Sequence, residues 1–216
     1  MRVYKFIDAR WGEEAIRRKR LKISLFDELN DPFDGKCAKF SKDERVAWDK
    51  SFKQFSKSYG VLCFSESWKN PVLWTHYADN HQGICLGFDL DESVPLKKVA
   101  YQSDLLDGRG LSERSHDEKL AFVKKAYSTK FVDWSYEAEQ RAFCDLDEPD
   151  ASTGKYFLDF EPDMKLREVI FGARFRGDAP YLRKCMSDSG LITFKTARLA
   201  FETFSIVEQN RKSLQK

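Results

Sequence analysis

Two apolar runs separated by a short polar-aromatic segment constrain this chain most. GVLCFS (residues 60–65) and GICLGFDL (residues 83–90) are each too short for a buried helix and rich enough in branched and aromatic side chains to read as buried strands. Between them lies NPVLWTHYADNHQ. Asn70 has the side chain of an N-cap, and Pro71 suits the first helical position, where its missing N–H costs nothing. Leu73, Tyr77 and then Asn80 or His81 recur at helical spacing, with Trp74 and Ala78 on the adjacent stripe. The segment predicts a strand–helix–strand unit, with His81 and Gln82 ahead of a Gly83 cap. It gathers Trp68, Trp74, His76, Tyr77 and His81 into a few turns of chain. Trp74 and Tyr77 suit either a packed core or a surface on which a ring can stack. His76 reads as a satisfied helix histidine or as part of the same surface.

The flanking segments extend this pattern into one α+β domain spanning residues 1–216, a mixed or antiparallel sheet with flanking helices. RVYKFI alternates and predicts an early strand. GEEAIRRKRLKIS begins as a helix and turns toward a short strand near Leu21–Leu25. ELNDPFDG is a compact turn: Pro32 drives Asp31 out of the helical region, and Asn30 and Asp31 can bond to the backbone of their own turn. The stretch up to Ser58 predicts a helix with Phe40, Trp48, Phe52 and Phe55 on its apolar face. DEKLAFVKKAYSTK reads as a helix, YFLDF and LREVIFG as strands. GDAPYLRKCMSDSG predicts a helix capped by Asp178, with Pro180 in its first turn and Gly190 as its stop. LITFKTA and FETFSIVEQ close the chain with period-two alternation. No repeat, low-complexity linker or domain boundary interrupts the chain.

Composition excludes little but directs expectation. The 37 Lys and Arg nearly balance the 35 Asp and Glu, so no bulk field draws the chain to nucleic acid or anionic membrane. The basic run Arg17-Arg18-Lys19-Arg20 fits a solvated helix face or a nucleic-acid patch. The start, MRVYKFIDARW, lacks the apolar core of a signal peptide, and no run approaches a membrane span, so a cytoplasmic location is expected. The five cysteines are widely spaced with no C-x-x-C, which predicts reduced, mostly buried thiols and no zinc knuckle. Three histidines in the whole chain make a metal centre an unfavoured expectation. Walker A, G-x-G-x-x-G, G-x-S-x-G and H-E-x-x-H patterns are absent.

The segment DWSYEAEQR carries the most chemistry. As a helix it pairs Glu137 with Arg141 at i,i+4 and sends Glu139 elsewhere. As a strand it lines one face with Ser135, Glu137, Glu139 and Arg141, a polar site in the making. A solvated face with a surface ion pair is the plainer alternative.

In order along the chain, VYKF, LNDPFDG, LCFSESWKNPVLWTHYADNHQGICLGF and KFVDWSYEAEQRAF resemble the bacterial family called domain of unknown function 2971, over roughly residues 3–194. Members of that family occur in phage and phage-defence settings. More distantly, the order of elements is similar to the ADP-ribosyltransferase fold. That resemblance implies a glycosyl transferase acting on NAD. Lys5 takes the early-strand position where the fold ordinarily carries His or Arg. Ser65 and Ser67 match its middle strand, Trp74 or Tyr77 its aromatic, and Glu137-Ala138-Glu139 its catalytic E-x-E, with Glu139 at the ribose. His76 falls beside them, and Arg141 or Lys5 would meet the pyrophosphate. Cleaving the nicotinamide–ribose bond builds positive charge on the ribose, which a fixed carboxylate stabilises. An aromatic face can hold the cationic nicotinamide ring.

The expected function is thus ADP-ribosyl transfer from NAD to an unknown protein or nucleic-acid target, without membrane involvement. Two alternatives stay open: a binding module of the same fold that has lost catalysis, and a nuclease of unrecognised type.

Overall fold

The computed structural model describes residues 1–186 and 192–216. Eight strands of the described residues form one sheet: β1 (Arg2–Ile7), β2 (Tyr59–Ser65), β3 (Ile84–Leu90), β4 (Leu96–Lys98), β5 (Glu139–Asp145), β6 (Met164–Phe171), β7 (Thr193–Leu199) and β8 (Ile206–Glu208). Their order is β8-β7-β6-β3-β1-β2-β5-β4. Neighbours run antiparallel except β6 and β7, so the sheet is mixed. The helices are α1 (Ala9–Arg18), α2 (Lys42–Ser58), α3 (Pro71–Tyr77), α4 (His116–Ala126) and α5 (Ala179–Cys185). The architecture is α+β, and no described helix is long and apolar enough to cross a membrane.

The helix starts follow local chemistry. Asp8 accepts from Trp11 N–H at 2.9 Å to begin α1, and Asn70 accepts from Val72 N–H at 2.9 Å to begin α3. Ser41 and Glu44 form a capping box on α2, as do Ser115 and Glu118 on α4. Asp178 caps α5 as its sequence predicts; the Gly190 stop lies outside the described residues. Phe40 precedes the Ser41 cap and so is not on the α2 face, although its ring packs on Trp48.

Both sheet faces are covered. Val3, Leu62, Leu86 and Phe88 pack with Ile16 of α1 and Leu182 of α5 on one side. Phe6, Cys85 and Ile170 pack with Trp68, Leu73 and Trp74 on the other. Burying Ile16 completely contributes about 1.5–3 kcal/mol, which anchors α1. The approach of α1 to β3 depends on Gly12, where a Cβ would stand 2.5 Å from Ile84 Cδ1. A third group of rings, Phe26, Phe52 and Tyr127 among them, fills the space under α2.

The expected strand–helix–strand unit is present as β2, α3 and β3, with β1 lying between the two strands in the sheet. The expected Gly83 cap needs correction. The chain after α3 is turned not by Gly83 but by Asp79, Asn80 and His81, all with positive φ (46°, 52° and 70°). Asp, Asn and His tolerate that left-handed region better than most residues, so the sequence could supply the turn without glycine. Gly83 instead permits close approach, since a Cβ there would lie 2.2 Å from the Ile7 carbonyl oxygen.

Candidate functional site

The centre of the sheet is split. Between β1 and β2 there is a single register pair, Tyr4↔Ser65, whereas β1 and β3 pair from Arg2 to Ile7. Beyond Tyr4 the two strands part, and Lys5 Nζ bridges the gap to the Cys63 carbonyl at 3.1 Å. The parting leaves a cleft of about 220 Å³, lined by Lys5, Phe6, Cys63, Ser65, Tyr77, Glu137 and Glu139 together with Ser24, Asn30 and Lys130.

The segment Thr129–Asp145 builds the acidic wall. It is neither one helix nor one strand. A short strand, Thr129–Phe131, runs into a 3-10 turn, Val132–Glu137, and β5 starts only at Glu139. Ala138 between them adopts φ 43°, the left-handed region. This break explains why the four-residue strand face of the sequence reading applies only to Glu139 and Arg141. Glu137 reaches the same cleft from the turn, and Ser135 points to solvent. Glu139 stands directly across from Ser65 in the β5–β2 register.

Behind the cleft lies a buried ionic cluster. Lys130 Nζ stands 2.6 Å from Glu137 Oε2 and 3.1 Å from Glu139 Oε2. Arg141 Nε donates to Glu139 Oε1 at 2.8 Å, its Nη2 to Asp34 Oδ1 at 2.6 Å, and its Nη1 to the Tyr127 carbonyl at 2.9 Å. Asp34 Oδ2 lies 3.9 Å from Lys130 and accepts no hydrogen bond. The cluster thus sets three carboxylates against two cations, a formal excess of one negative charge in a buried place. At the cleft edge the Tyr77 hydroxyl donates to Glu137 Oε1 and accepts from Asn30 Nδ2 at 2.9 Å. The Tyr101 hydroxyl accepts from Glu139 N–H at 2.8 Å.

These contacts drive the two glutamates apart in acidity. Burial pushes the Glu137 carboxyl up, against the pull of Lys130. Burial pushes Glu139 the same way, but Arg141 and Lys130 outweigh it and hold that carboxyl down to about 2. Asp34 is raised by burial despite Arg141. Lys130 is held charged against burial by Glu139, Asp34 and Glu137. Burial and then the hydrogen bond to Glu137 raise the Tyr77 phenol well above its ordinary range. Burial thus prevails at Glu137 and the cations prevail at Glu139, so two neighbouring carboxyls are shifted in opposite directions, the pattern found at acid–base sites.

The cleft joins Lys5, Ser65, Tyr77, Glu137 and Glu139, and leaves the other sequence-predicted residues outside. Trp74 is 0% exposed, its indole N–H donating to the Trp68 carbonyl at 2.7 Å and its ring edge-on to Phe6, so it cannot stack on a ligand. Its polar atom found a partner inside, and a large ring then contributes more as core than as surface. Arg141 is also 0% exposed and cannot meet a pyrophosphate; burial was possible because Glu139, Asp34 and the Tyr127 carbonyl give each of its three nitrogens a partner. His76 is exposed on the outer side of α3, its Nδ1 2.8 Å from the Tyr136 hydroxyl. Ser67 sits past the end of β2, its Oγ accepting from Lys69 N–H at 3.2 Å and its carbonyl from Ser65 Oγ. In the ELNDPFDG turn, Asp31 bonds Phe33 N–H at 2.9 Å as expected, but Asn30 turns outward to Tyr77.

Sequence reasoning missed Lys130, Asp34, Asn30 and Tyr101. Asp34 carried a faint signal as a further acid in a turn whose chemistry Asn30 and Asp31 already explained. Lys130 carried none, since a lysine in TKF reads as solvated. All five cysteines are free, with Cys37, Cys85 and Cys144 buried. Among the described residues no group of three or more His, Cys, Asp or Glu is arranged to hold a metal ion.

No protein-family model matches the chain, and comparison with curated proteins and with solved structures finds no match.

Proposed function

We propose that the protein is an ADP-ribosyltransferase-like enzyme that cleaves the nicotinamide–ribose bond of NAD. The observation that carries this reading is the pair of glutamates lining one split-sheet cleft, Glu139 held low by Arg141 and Lys130 and Glu137 raised by burial. In the proposed reaction the C–N bond to ribose C1′ breaks and its electron pair leaves with nicotinamide, which becomes neutral. The positive charge left on the ribose is stabilised by the negative cluster around Glu139. A nucleophile on the target, or water, then bonds to C1′ and passes its proton to Glu137. The raised acidity range of Glu137 suits that proton better than the locked carboxylate of Glu139 does. Glu137 thereby takes the catalytic role that the E-x-E resemblance assigned to Glu139. Tyr77 supplies the aromatic edge in place of Trp74.

A second reading is supported by a specific contact. Tyr77 and Lys130 between them engage both oxygens of Glu137, the carboxylate the enzyme reading needs, as Arg141 and Lys130 engage both oxygens of Glu139. A carboxylate so occupied also suits a binding module that holds a nucleotide without turning it over.

Incubating the protein with NAD labelled in the nicotinamide ring separates the two. Release of free nicotinamide, falling about a hundred-fold or more in Glu137→Gln, supports the enzyme. Binding of NAD without release supports the module. Neither binding nor release rejects both.

A further inference from the structure

A second cavity, about 300 Å³, adjoins the cleft and shares Lys5, Phe6, Ser24 and Tyr77 with it. Its chemistry is different. Where the first cleft is walled by carboxylates, the second is lined by Arg20, Lys22 and Lys155 and by the rings of Trp11 and Phe157, with Lys5 at the junction. The acids that also line it are already engaged. Asp8 accepts the Trp11 N–H that starts α1, and Glu14 pairs with Arg17 at 2.6 Å and with Arg18. Two of the cations are engaged as well: Arg20 Nη1 with Asp150 at 2.9 Å and Lys22 with Glu28 at 2.7 Å. Lys5 donates to the neutral Cys63 carbonyl, and Lys155 acts on Glu28 only through space, without a contact of salt-bridge length among the described residues. The Arg20 guanidinium lies 3.8 Å from the centre of the Phe157 ring, and its buried Nε donates to nothing.

We propose that this second cavity is the seat of the phosphates of a nucleoside diphosphate, with Lys155 and Lys5 as their primary cations and Trp11 as the ring against which the base packs. The inference rests on the reading of the first cleft as a NAD site only for its account of the other end of the ligand. A ligand with a glycosidic bond beside Glu137 and a phosphoanhydride beside Lys5 spans both cavities through the four residues they share. Lysine ammonium and a phosphate oxygen form charge-assisted hydrogen bonds about twice as strong as neutral ones. A base on an indole face adds contact that does not depend on which base it is.

The test is calorimetric titration of the full chain with ADP, inorganic pyrophosphate and adenosine, beside Lys155→Ala and Trp11→Phe. Wild type should bind ADP and pyrophosphate. Lys155→Ala should weaken both about ten-fold and leave adenosine unchanged, with an unaltered melting temperature. Trp11→Phe should abolish the fluorescence quenching by ADP while sparing pyrophosphate. Rising salt should weaken ADP and pyrophosphate but not adenosine. Wild-type protein that binds neither ADP nor pyrophosphate overturns the proposal, as does Lys155→Ala that binds ADP as tightly as wild type. Nicotinamide release is read separately. ADP binding with no release leaves the phosphate seat standing and removes the transferase reading. Release that ADP does not inhibit, and that Lys155→Ala does not slow at low NAD, does the reverse.

Discussion

The Arg141 guanidinium is forked onto the Glu139 carboxylate, Nε to Oε1 at 2.8 Å and Nη2 to Oε2 at 3.2 Å, with both residues almost without solvent. They stand two residues apart on one face of β5, so the strand itself sets their spacing. Arg141 also holds Asp34, and a residue with five donors in a fixed plane is the one side chain able to do both. Arg141→Met should destabilise the fold by about 3–5 kcal/mol, because buried Asp34 loses its hydrogen-bonded cation and buried Glu139 is left with Lys130 alone. Arg141→Lys should recover only part of this, since an ammonium cannot fork. Chemical denaturation of the three proteins measures the difference.

Glu139→Gln should cost stability. It removes the charge that faces both Arg141 and Lys130 at 3% exposure. A loss of several kcal/mol is expected in urea unfolding. Loss of activity in that variant must therefore be normalised to folded protein. Glu137→Gln at 5% exposure can keep its one amide oxygen on Lys130 only if its NH2 turns the Tyr77 hydroxyl into an acceptor; because it removes the cluster's excess negative charge it should cost less than Glu139→Gln. Equal stability of both variants would remove Glu139 from its structural role.

Acid should act on this protein through Glu139. Its carboxyl is depressed in the folded state, from an ordinary 4.5 to about 2. Its contribution is therefore fully present above pH 4.5 and is lost as pH falls from there through 2, about 3 kcal/mol in all. Glu137 works in the opposite sense. Being raised, it favours folding below its unfolded value and loses that contribution as pH rises through its folded value. Urea midpoints between pH 2 and pH 5 should fall steeply toward acid in wild type and less steeply in Glu139→Gln. Parallel slopes would contradict the assignment.

Tyr77→Phe separates the cleft from the core. The hydroxyl ties Asn30 to Glu137, and its removal leaves Glu137 with Lys130 alone. That hydrogen bond lowers the Glu137 carboxyl, so the variant should shift the acidic limb of any pH–rate profile upward. Stability should change by about 1 kcal/mol, the ordinary worth of one hydrogen bond. Asn30→Ala should shift the profile in the same direction by less, and not simply weaken its own turn as the NDPF pattern suggested. A profile unmoved in both would leave Tyr77 as packing only.

Trp74→Ala tests the opposite assignment. The ring is sealed among Phe6, Trp68 and Leu73, so its loss should cost about 3–5 kcal/mol. Nucleotide affinity of the remaining folded protein should be unchanged. An affinity loss without a stability loss would return Trp74 to the cleft.

What the sequence determined by itself was local. Caps at Asn70, Ser41, Ser115 and Asp178 place helix starts through bonds that reach two or three residues, and the apolar runs of β2 and β3 declare themselves strands by composition. That Glu137 and Glu139 could share one polar place followed from two acids beside a guanidinium in a segment with strand-like aromatics, and both line the cleft. The tertiary structure alone decided which side chains face the cleft. β1 inserts between β2 and β3, and no pattern within the α3 unit announces it. The Ala138 break sends Glu137 and Glu139 to one place by two routes. Asp34 meets Arg141 across 107 residues of sequence, and Asn30 meets Tyr77 across 47. Trp74 and Arg141 were both suited by type to bind a ligand, and both were buried, because each found inside the protein a full set of partners for its polar atoms. Burial is decided by such non-local satisfaction, and for that reason residue type named the candidates while the fold selected among them.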